Sequence, residues 1–328
     1  MDRGVERKLI AILKALDESS EPVGARVISR KLEEDGIHLT ERAVRFHLQL
    51  MDERGLTHTA GKKGRAGRTI TEKGLEELAN ALVSDKVGMM DGKIDELSYL
   101  TTFDPKTKKG NVILNISLIH KDDFQKAIDI VKEVSEAKIC VSGLVLIAEE
   151  GEELEHTTVP KGMVALGTVC AVTINGILLH HQIPLKSKFG GILQMENSEP
   201  IRFTEIIEYS GSSLDPAEIF IKGGMTSVMD AVRSGAGKVL AGFREIPAAC
   251  LPEAESTLNN LAEMGIFGTV FIGEPNQPTL QIHVSSGYAG MVILAGLNPL
   301  AAVEEMGVDT HNMSLSMMVD FKRLSPLP

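Results

Sequence analysis

Thr40-Glu41-Arg42-Ala43-Val44-Arg45-Phe46-His47-Leu48-Gln49 is the stretch that decides the fold. Thr40 is a residue type that caps a helix, its hydroxyl accepting from an unpaired N–H of the first turn. Val44, Leu48 and Met51 then recur on one helical face. Arg42, Arg45 and Gln49, at i, i+3 and i+7, occupy the opposite face. A DNA major groove admits one helix, and arginine and glutamine on its open side can reach base edges and phosphates.

The flanking sequence fits that reading. Upstream, Val5, Leu9, Ile12, Leu13 and Leu16 fall at helical spacing, and a break at residues 19–22 follows. A second short helix is expected over residues 25–34, with Val27, Ile28 and Leu32 inward and Asp35-Gly36 closing it. Downstream, Thr57-His58-Thr59 and Thr69-Ile70-Thr71 flank a glycine-rich loop, which predicts a hairpin. That loop carries Lys62, Lys63, Arg65 and Arg68, four cations suited to a phosphate backbone. A last helix brings Leu75, Leu78 and Leu82. Three helices and a basic hairpin make a winged helix-turn-helix. Against this stands the plain alternative that these are ordinary solvated charges, or that the module contacts protein.

The chain has 328 residues, 43% hydrophobic and 24% charged, enough for two domains with their own cores. Its net charge of −11 is unevenly spread. Residues 1–82 hold 15 Lys and Arg against 14 Asp and Glu, whereas the remainder holds 19 against 31. Nucleic-acid contact is therefore expected only in the first quarter. No run approaches the ~20 apolar residues of a membrane span, and the N-terminus runs straight into an amphipathic helix, so no signal peptide and no membrane partner are expected. Cys140, Cys170 and Cys250 are too scattered for a disulfide framework or a zinc site. His180-His181 has no Cys or carboxylate at ligand spacing. A cytoplasmic protein without metal or cofactor is expected.

From about Met89 the texture becomes α/β. Residues 112–119 read as a strand, 124–134 as a helix, 141–147 as a second strand and 164–172 as a third. The order returns at residues 239–243, 253–264, 268–272 and 290–294, with offsets of 125 to 128 residues between matching strands. An internal duplication of a strand-helix-strand-strand unit follows. The expected class is α/β (α+β): a winged helix over residues 1–83 and a two-lobed effector and dimerisation domain over 84–328. A ligand cleft is expected where the copies meet. Arg244, Lys238 and Gly235, with Arg233 and Gly237, lie around the first strand of the second copy; Thr168, Cys170 and Thr173 lie around the third strand of the first. These six, Thr168, Cys170, Thr173, Gly235, Lys238 and Arg244, are the candidate effector-binding residues; the bland alternative is that they only terminate strands.

Other features are weaker. Residues 234–238 look slightly like a phosphate loop but lack its spacing, and a turn before a strand fits better. Residues 209–216 form a donor-rich loop that an Asp-Pro turn explains equally well. No Ser/His/Asp or Cys/His arrangement has recognisable spacing, so no catalytic residue is expected.

Residues 40–48, the Gly-Arg-Ala-Gly-Arg of residues 64–68 and Gly167-Thr168-Val169-Cys170-Ala171-Val172-Thr173-Ile174-Asn175-Gly176 together resemble the archaeal nitrogen regulatory repressor family NrpR. The resemblance covers nearly the whole chain. It implies a winged helix that binds double-stranded operator DNA of nitrogen-assimilation genes. It also implies a large domain that forms a homodimer and responds to 2-oxoglutarate, relieving repression. Some members carry two copies of the large domain; this chain has room for one, which makes a second NrpR-type subunit lacking the winged helix a further expected partner. A dicarboxylate in an acidic domain needs local cations, which accords with Arg244 and Lys238. The rival readings are a metabolic enzyme with its site between the lobes and a regulatory winged helix, and a protein-interaction module that never touches DNA.

Overall fold

A computed structural model describes residues 3–19, 21–34, 36–60, 67–80, 87–154 and 157–328. The chain divides into two units, Met1–Lys86 and Val87–Pro328.

In the first unit, helices α1 (Arg3–Asp17), α2 (Ala25–Glu34) and α3 (Glu41–Glu53) converge on one core. Ile12, Leu13, Ile28, Val44, Leu48 and Met51 are fully buried there. Val27, expected inward, is instead 38% exposed, because the stripe of this short helix is narrow and Ile28 and Leu32 fill it. Gly36, at φ 76°, ends α2, and the Ile37 N–H bonds the Leu32 carbonyl at 2.7 Å. The Thr40 hydroxyl caps α3 by accepting from the Ala43 N–H at 3.3 Å. Strands β1 (Thr57–Thr59) and β2 (Arg68–Ile70) pair antiparallel, Val23 adds a bridge to Arg68, and α4 (Glu72–Asn80) completes the winged helix.

The second unit opens with helix α5 (Met89–Leu100). Strand β3 (Asn111–His120), helix α6 (Lys121–Glu136) and strand β4 (Leu144–Ala148) follow. A small hairpin of β5 (Glu153–Leu154) and β6 (Thr157–Thr158) leads to β7 (Met163–Val169), helix α7 (Val172–His180) and β8 (Lys186–Glu196). After β9 (Glu199–Glu208), α8 (Pro216–Lys222) and α9 (Val228–Ser234) come β10 (Gly237–Pro247), α10 (Leu251–Glu263), β11 (Thr269–Ile272), β12 (Tyr288–Leu294), α11 (Asn298–Glu305), β13 (Thr310–Asp320) and β14 (Ser325–Pro326).

The duplication is present and longer than the sequence suggests. Each copy runs strand-helix-strand-strand-helix-strand: β3-α6-β4-β7-α7-β8 and β10-α10-β11-β12-α11-β13. The two antiparallel sheets have the orders β13-β3-β7-β4-β14 and β11-β12-β10-β8-β9. The last strand of each copy thus pairs with the first strand of the other, so the two lobes exchange their last strands rather than sit side by side. One core gathers side chains of α6, α9 and α11, the other those of α7 and α10.

Hydrogen bonds fix the equivalence. The Cys170 N–H bonds the Ile113 carbonyl at 2.9 Å, and the Ala295 N–H bonds the Leu240 carbonyl at 2.9 Å. The Thr173 hydroxyl accepts from the Ile113 N–H at 3.0 Å and donates to its carbonyl at 3.2 Å. Asn298 repeats this clasp on Leu240, Oδ1 accepting at 2.7 Å and Nδ2 donating at 2.9 Å. Val169 therefore corresponds to Leu294, which places the Gly162-Met163 and Gly290-Met291 likeness three residues out of register. The strand expected to reach residue 172 stops at Val169, and helix α7 begins at Val172. Its first seven residues are all buried, so it carries no polar face and its apolar run reads as strand.

Candidate functional site

Two places concentrate chemistry, one in each unit. On α3, Arg42, Arg45 and Gln49 are exposed as expected, opposite the buried Val44, Leu48 and Met51. Arg45 pairs with Glu41 one turn back. Lys62, Lys63 and Arg65 lie outside the described residues. Arg68 differs from its expected role as a free wing cation: its Nε donates to Asp52 Oδ2 at 2.8 Å, and its side chain is only 23% exposed. Asp52 also accepts from the Thr57 hydroxyl at 2.5 Å, so it ties the end of α3 to both strands of the wing. Arg68 thereby holds the wing against the recognition helix.

In the second unit a cavity of about 50 Å³ lies where the two copies meet. Both copies line it: Cys170, Ala171 and Val172 from one, and their counterparts Ala295, Gly296 and Leu297 from the other. Arg244 is its one cation among the described residues, 2% exposed. The Arg244 Nε donates to Asn175 Oδ1 at 2.6 Å and its Nη1 to the Gly242 carbonyl at 3.2 Å. Both partners are neutral, and among the described residues no carboxylate forms an ion pair with it. Burial pulls the guanidinium pKa down. Gly242 makes the packing possible: a Cβ there would meet Arg244 Nη1 at 2.8 Å and the Tyr209 hydroxyl at 3.2 Å.

Of the six residues expected to bind an effector, the cavity brings together Cys170 and Arg244. Burial pushes the Cys170 thiol up to about 12, so it stays a neutral thiol. Thr173 is committed to the Ile113 backbone. Thr168 is buried on β7, its hydroxyl without a hydrogen-bond partner among the described residues. Gly235 caps α9 at φ 74° and Lys238 sits beside Ser227, at the other end of β10 from Arg244, about 20 Å along the strand. Arg233 is held by both carboxylate oxygens of Glu133, at 2.9 and 3.1 Å. Of the turn glycines and cations read around the start of β10, Arg244 alone lines the cavity.

The donor-rich loop of residues 209–216 supplies the site residues that sequence reasoning left undecided. Tyr209 and Asp215 both line the cavity. Asp215 caps α8, accepting from the Ala217 N–H at 2.7 Å. Burial, with the neighbouring Glu218, raises its carboxyl to about 6. Glu218 in turn accepts from the Ser314 N–H at 2.7 Å and its hydroxyl at 2.6 Å. Ser314 stands in a bulge of β13 whose next residue, Leu315, has φ 50°, an uncommon value for a branched side chain. The Leu315 N–H is held by Asn115 Oδ1 at 3.2 Å.

A proton held more tightly in the folded chain stabilises it at low pH. For Asp215 that contribution is complete below the unfolded value of 3.8 and is lost as pH rises through about 6. Asp215→Asn keeps the capping oxygen and removes the ionisation. It is expected to raise the thermal midpoint above pH 6 and to leave it unchanged near pH 4, measured by thermal unfolding across that range. An equal shift at both ends would show that the carboxyl is not desolvated.

Residues 87–326 match the sequence family described as NrpR regulatory domains NRD1 and 2, and residues 10–78 match the Ribonuclease R winged-helix domain. The Global nitrogen regulator NrpRI of Methanosarcina mazei is 38% identical over 327 residues, covering 100% of both chains. The Global nitrogen regulator NrpR of Methanococcus maripaludis is 31% identical over 329 residues, all of this chain and 55% of that relative. That of Methanocaldococcus jannaschii is 32% identical over 98% of this chain and 55% of its own. The chain therefore spans about half the length of these last two relatives. The crystal structure of a nitrogen repressor-like protein from Methanococcus jannaschii superposes with a TM-score of 0.61 at 31% identity, covering 72% of this chain and 97% of that one.

Proposed function

The chain belongs to the NrpR family of nitrogen-related transcriptional regulators, and we propose that it is a DNA-binding repressor of nitrogen-assimilation genes, released from its operator when 2-oxoglutarate enters the Arg244 cavity. The observation that carries DNA binding is the exposed face of α3, with Arg42, Arg45 and Gln49 set on a winged helix. Its relatives are named as regulators, which agrees with a sensor rather than an enzyme.

The effector assignment rests on Arg244. A buried guanidinium without a carboxylate is a prepared partner for an anion, and a planar fork suits a carboxylate. The cavity is smaller than a five-carbon dicarboxylate and has room for only a few water-sized molecules. Filling it must therefore push its walls apart. One wall residue is Ile94, from α5. Met90, Ile94 and Tyr209 share one apolar cluster, and the Met90 N–H bonds the Ser212 carbonyl at 3.3 Å. Helix α5 is the first element after the winged-helix unit. Displacement of α5 by the ligand would thus reach the DNA-binding unit through the chain itself. A ligand shifts such an equilibrium only by preferring the expanded state.

Two copies are needed for tight specific binding, since one recognition helix makes few base contacts and two-fold repressors read half-sites about one helical turn, or a multiple of it, apart. The chain is proposed to act as a homodimer in the cytoplasm. A separate regulatory-domain subunit would match the extra length of the longer relatives. Among the described residues no helix is long and apolar enough to cross a membrane. Selection from a random duplex pool by the full chain is expected to enrich a pseudo-palindrome. Light scattering should give twice the 35.4 kDa chain mass. Failure to enrich any sequence would end the repressor reading, and a monomer at micromolar concentration the dimer.

A further inference from the structure

We infer that Phe46 is a specificity-determining residue that reads thymine by its 5-methyl group in the major groove, an assignment that rests on the DNA-binding role of α3. Phe46 is 65% exposed on the recognition helix. It stands between Arg42 and Gln49 along the helix axis, at i, i+4 and i+7, on the flank of the exposed stripe opposite Arg45. The helix has its core face elsewhere, on Val44, Leu48 and Met51, so the phenyl ring contributes nothing to the fold's interior. The ring is held edge-on to the His47 imidazole, centroids 5.5 Å apart and planes at 68°. His47 is itself 6% exposed, which anchors that contact to the body of the unit.

The chemistry of the groove selects the occupant. Arginine and glutamine satisfy the acceptors of guanine and the mixed edge of adenine, whereas thymine adds an apolar methyl that only an apolar side chain can cover. The stripe holds three hydrogen-bonding side chains and, along one flank, one apolar ring. Docking α3 on a duplex would take that ring out of water against the methyl, the driving force being removal of both apolar surfaces from solvent.

The test uses the full chain and a duplex that it selects from a random pool. Each thymine of a half-site is replaced in turn by deoxyuridine, which removes only the methyl, and binding is read by fluorescence anisotropy. Wild type should weaken about 3- to 10-fold at one or two thymines per half-site, the scale of burying one methyl group. Phe46→Ala should bind more weakly and treat thymine and deoxyuridine alike at those positions, while Phe46→Leu should keep part of the discrimination. Because the side chain is exposed, all variants should melt with wild type. The inference is overturned if wild type is indifferent to every replacement, or if Phe46→Ala keeps the wild-type ratio, as it would were the ring a protein-docking contact. Those outcomes leave DNA binding intact, whereas a chain that selects no duplex fails the proposed function and this inference with it.

Discussion

Arg244→Leu is expected to abolish the response of operator binding to 2-oxoglutarate while leaving operator affinity itself unchanged. The cavity has one cation, and that cation has no carboxylate partner among the described residues. Truncating one member of a buried charge pair costs about 2–5 kcal/mol, or roughly 30-fold and upward in effector affinity. The same variant separates a ligand site from a structural ion pair. Removing one partner of a structural buried pair destabilises by about 3–5 kcal/mol. In the empty protein Arg244 has only Asn175 Oδ1 and the Gly242 carbonyl as acceptors, so its loss relieves a desolvated charge while leaving those two groups short of a donor. Thermal stability is therefore expected to change little. Should leucine disturb the fold, Arg244→Lys retains the charge without the planar fork and should weaken 2-oxoglutarate without unfolding the chain. Full response in the lysine and leucine variants would remove the cavity from the mechanism.

The second large effect is on α3. Arg42→Ala and Arg45→Ala should each lose about 1–3 kcal/mol of specific affinity, if each arginine reaches a base bidentately. The double variant should lose roughly 30-fold or more and accept a wider set of sequences, measured by repeating the duplex selection. Arg42 and Arg45 are exposed, so folding is not at stake. The two need not be equal, because Arg45 must first leave Glu41. An unchanged selected sequence would show that α3 does not read bases.

Legibility in the sequence follows the kind of signal each element leaves. The winged helix is plain because its helices are amphipathic and its cap and turn residues are local: Thr40 and Gly36 do what their types predict. The duplication is visible in the apolar strands, yet its register slips by three residues in the third strand, where Val, Leu, Ile and Met are interchangeable. Helix α7 is hidden because burial on every side erases its period. The exchange of β8 and β13 between sheets leaves no local trace, since strand partners are set at long range. The effector site suffers most from this. Arg244 looks like one of several cations near β10, and only the fold shows that Arg233 is paired with Glu133 and that Arg244 is buried with no carboxylate partner among the described residues. Tyr209 and Asp215 belong to a loop whose composition is equally that of a turn. The spacing of Phe46 from Arg42 and Gln49 puts it on the open face, but spacing alone carries no sign of what the ring meets there.

The central claim is a negative coupling between effector and operator, and linkage makes it reciprocal. Isothermal titration of the full chain with 2-oxoglutarate, without operator and then with saturating operator, measures it directly. Binding is predicted without DNA and should weaken with DNA by the same factor by which 2-oxoglutarate weakens operator binding; a tenfold factor corresponds to about 1.4 kcal/mol. Equal affinity with and without operator, or succinate binding as well as 2-oxoglutarate, would contradict it.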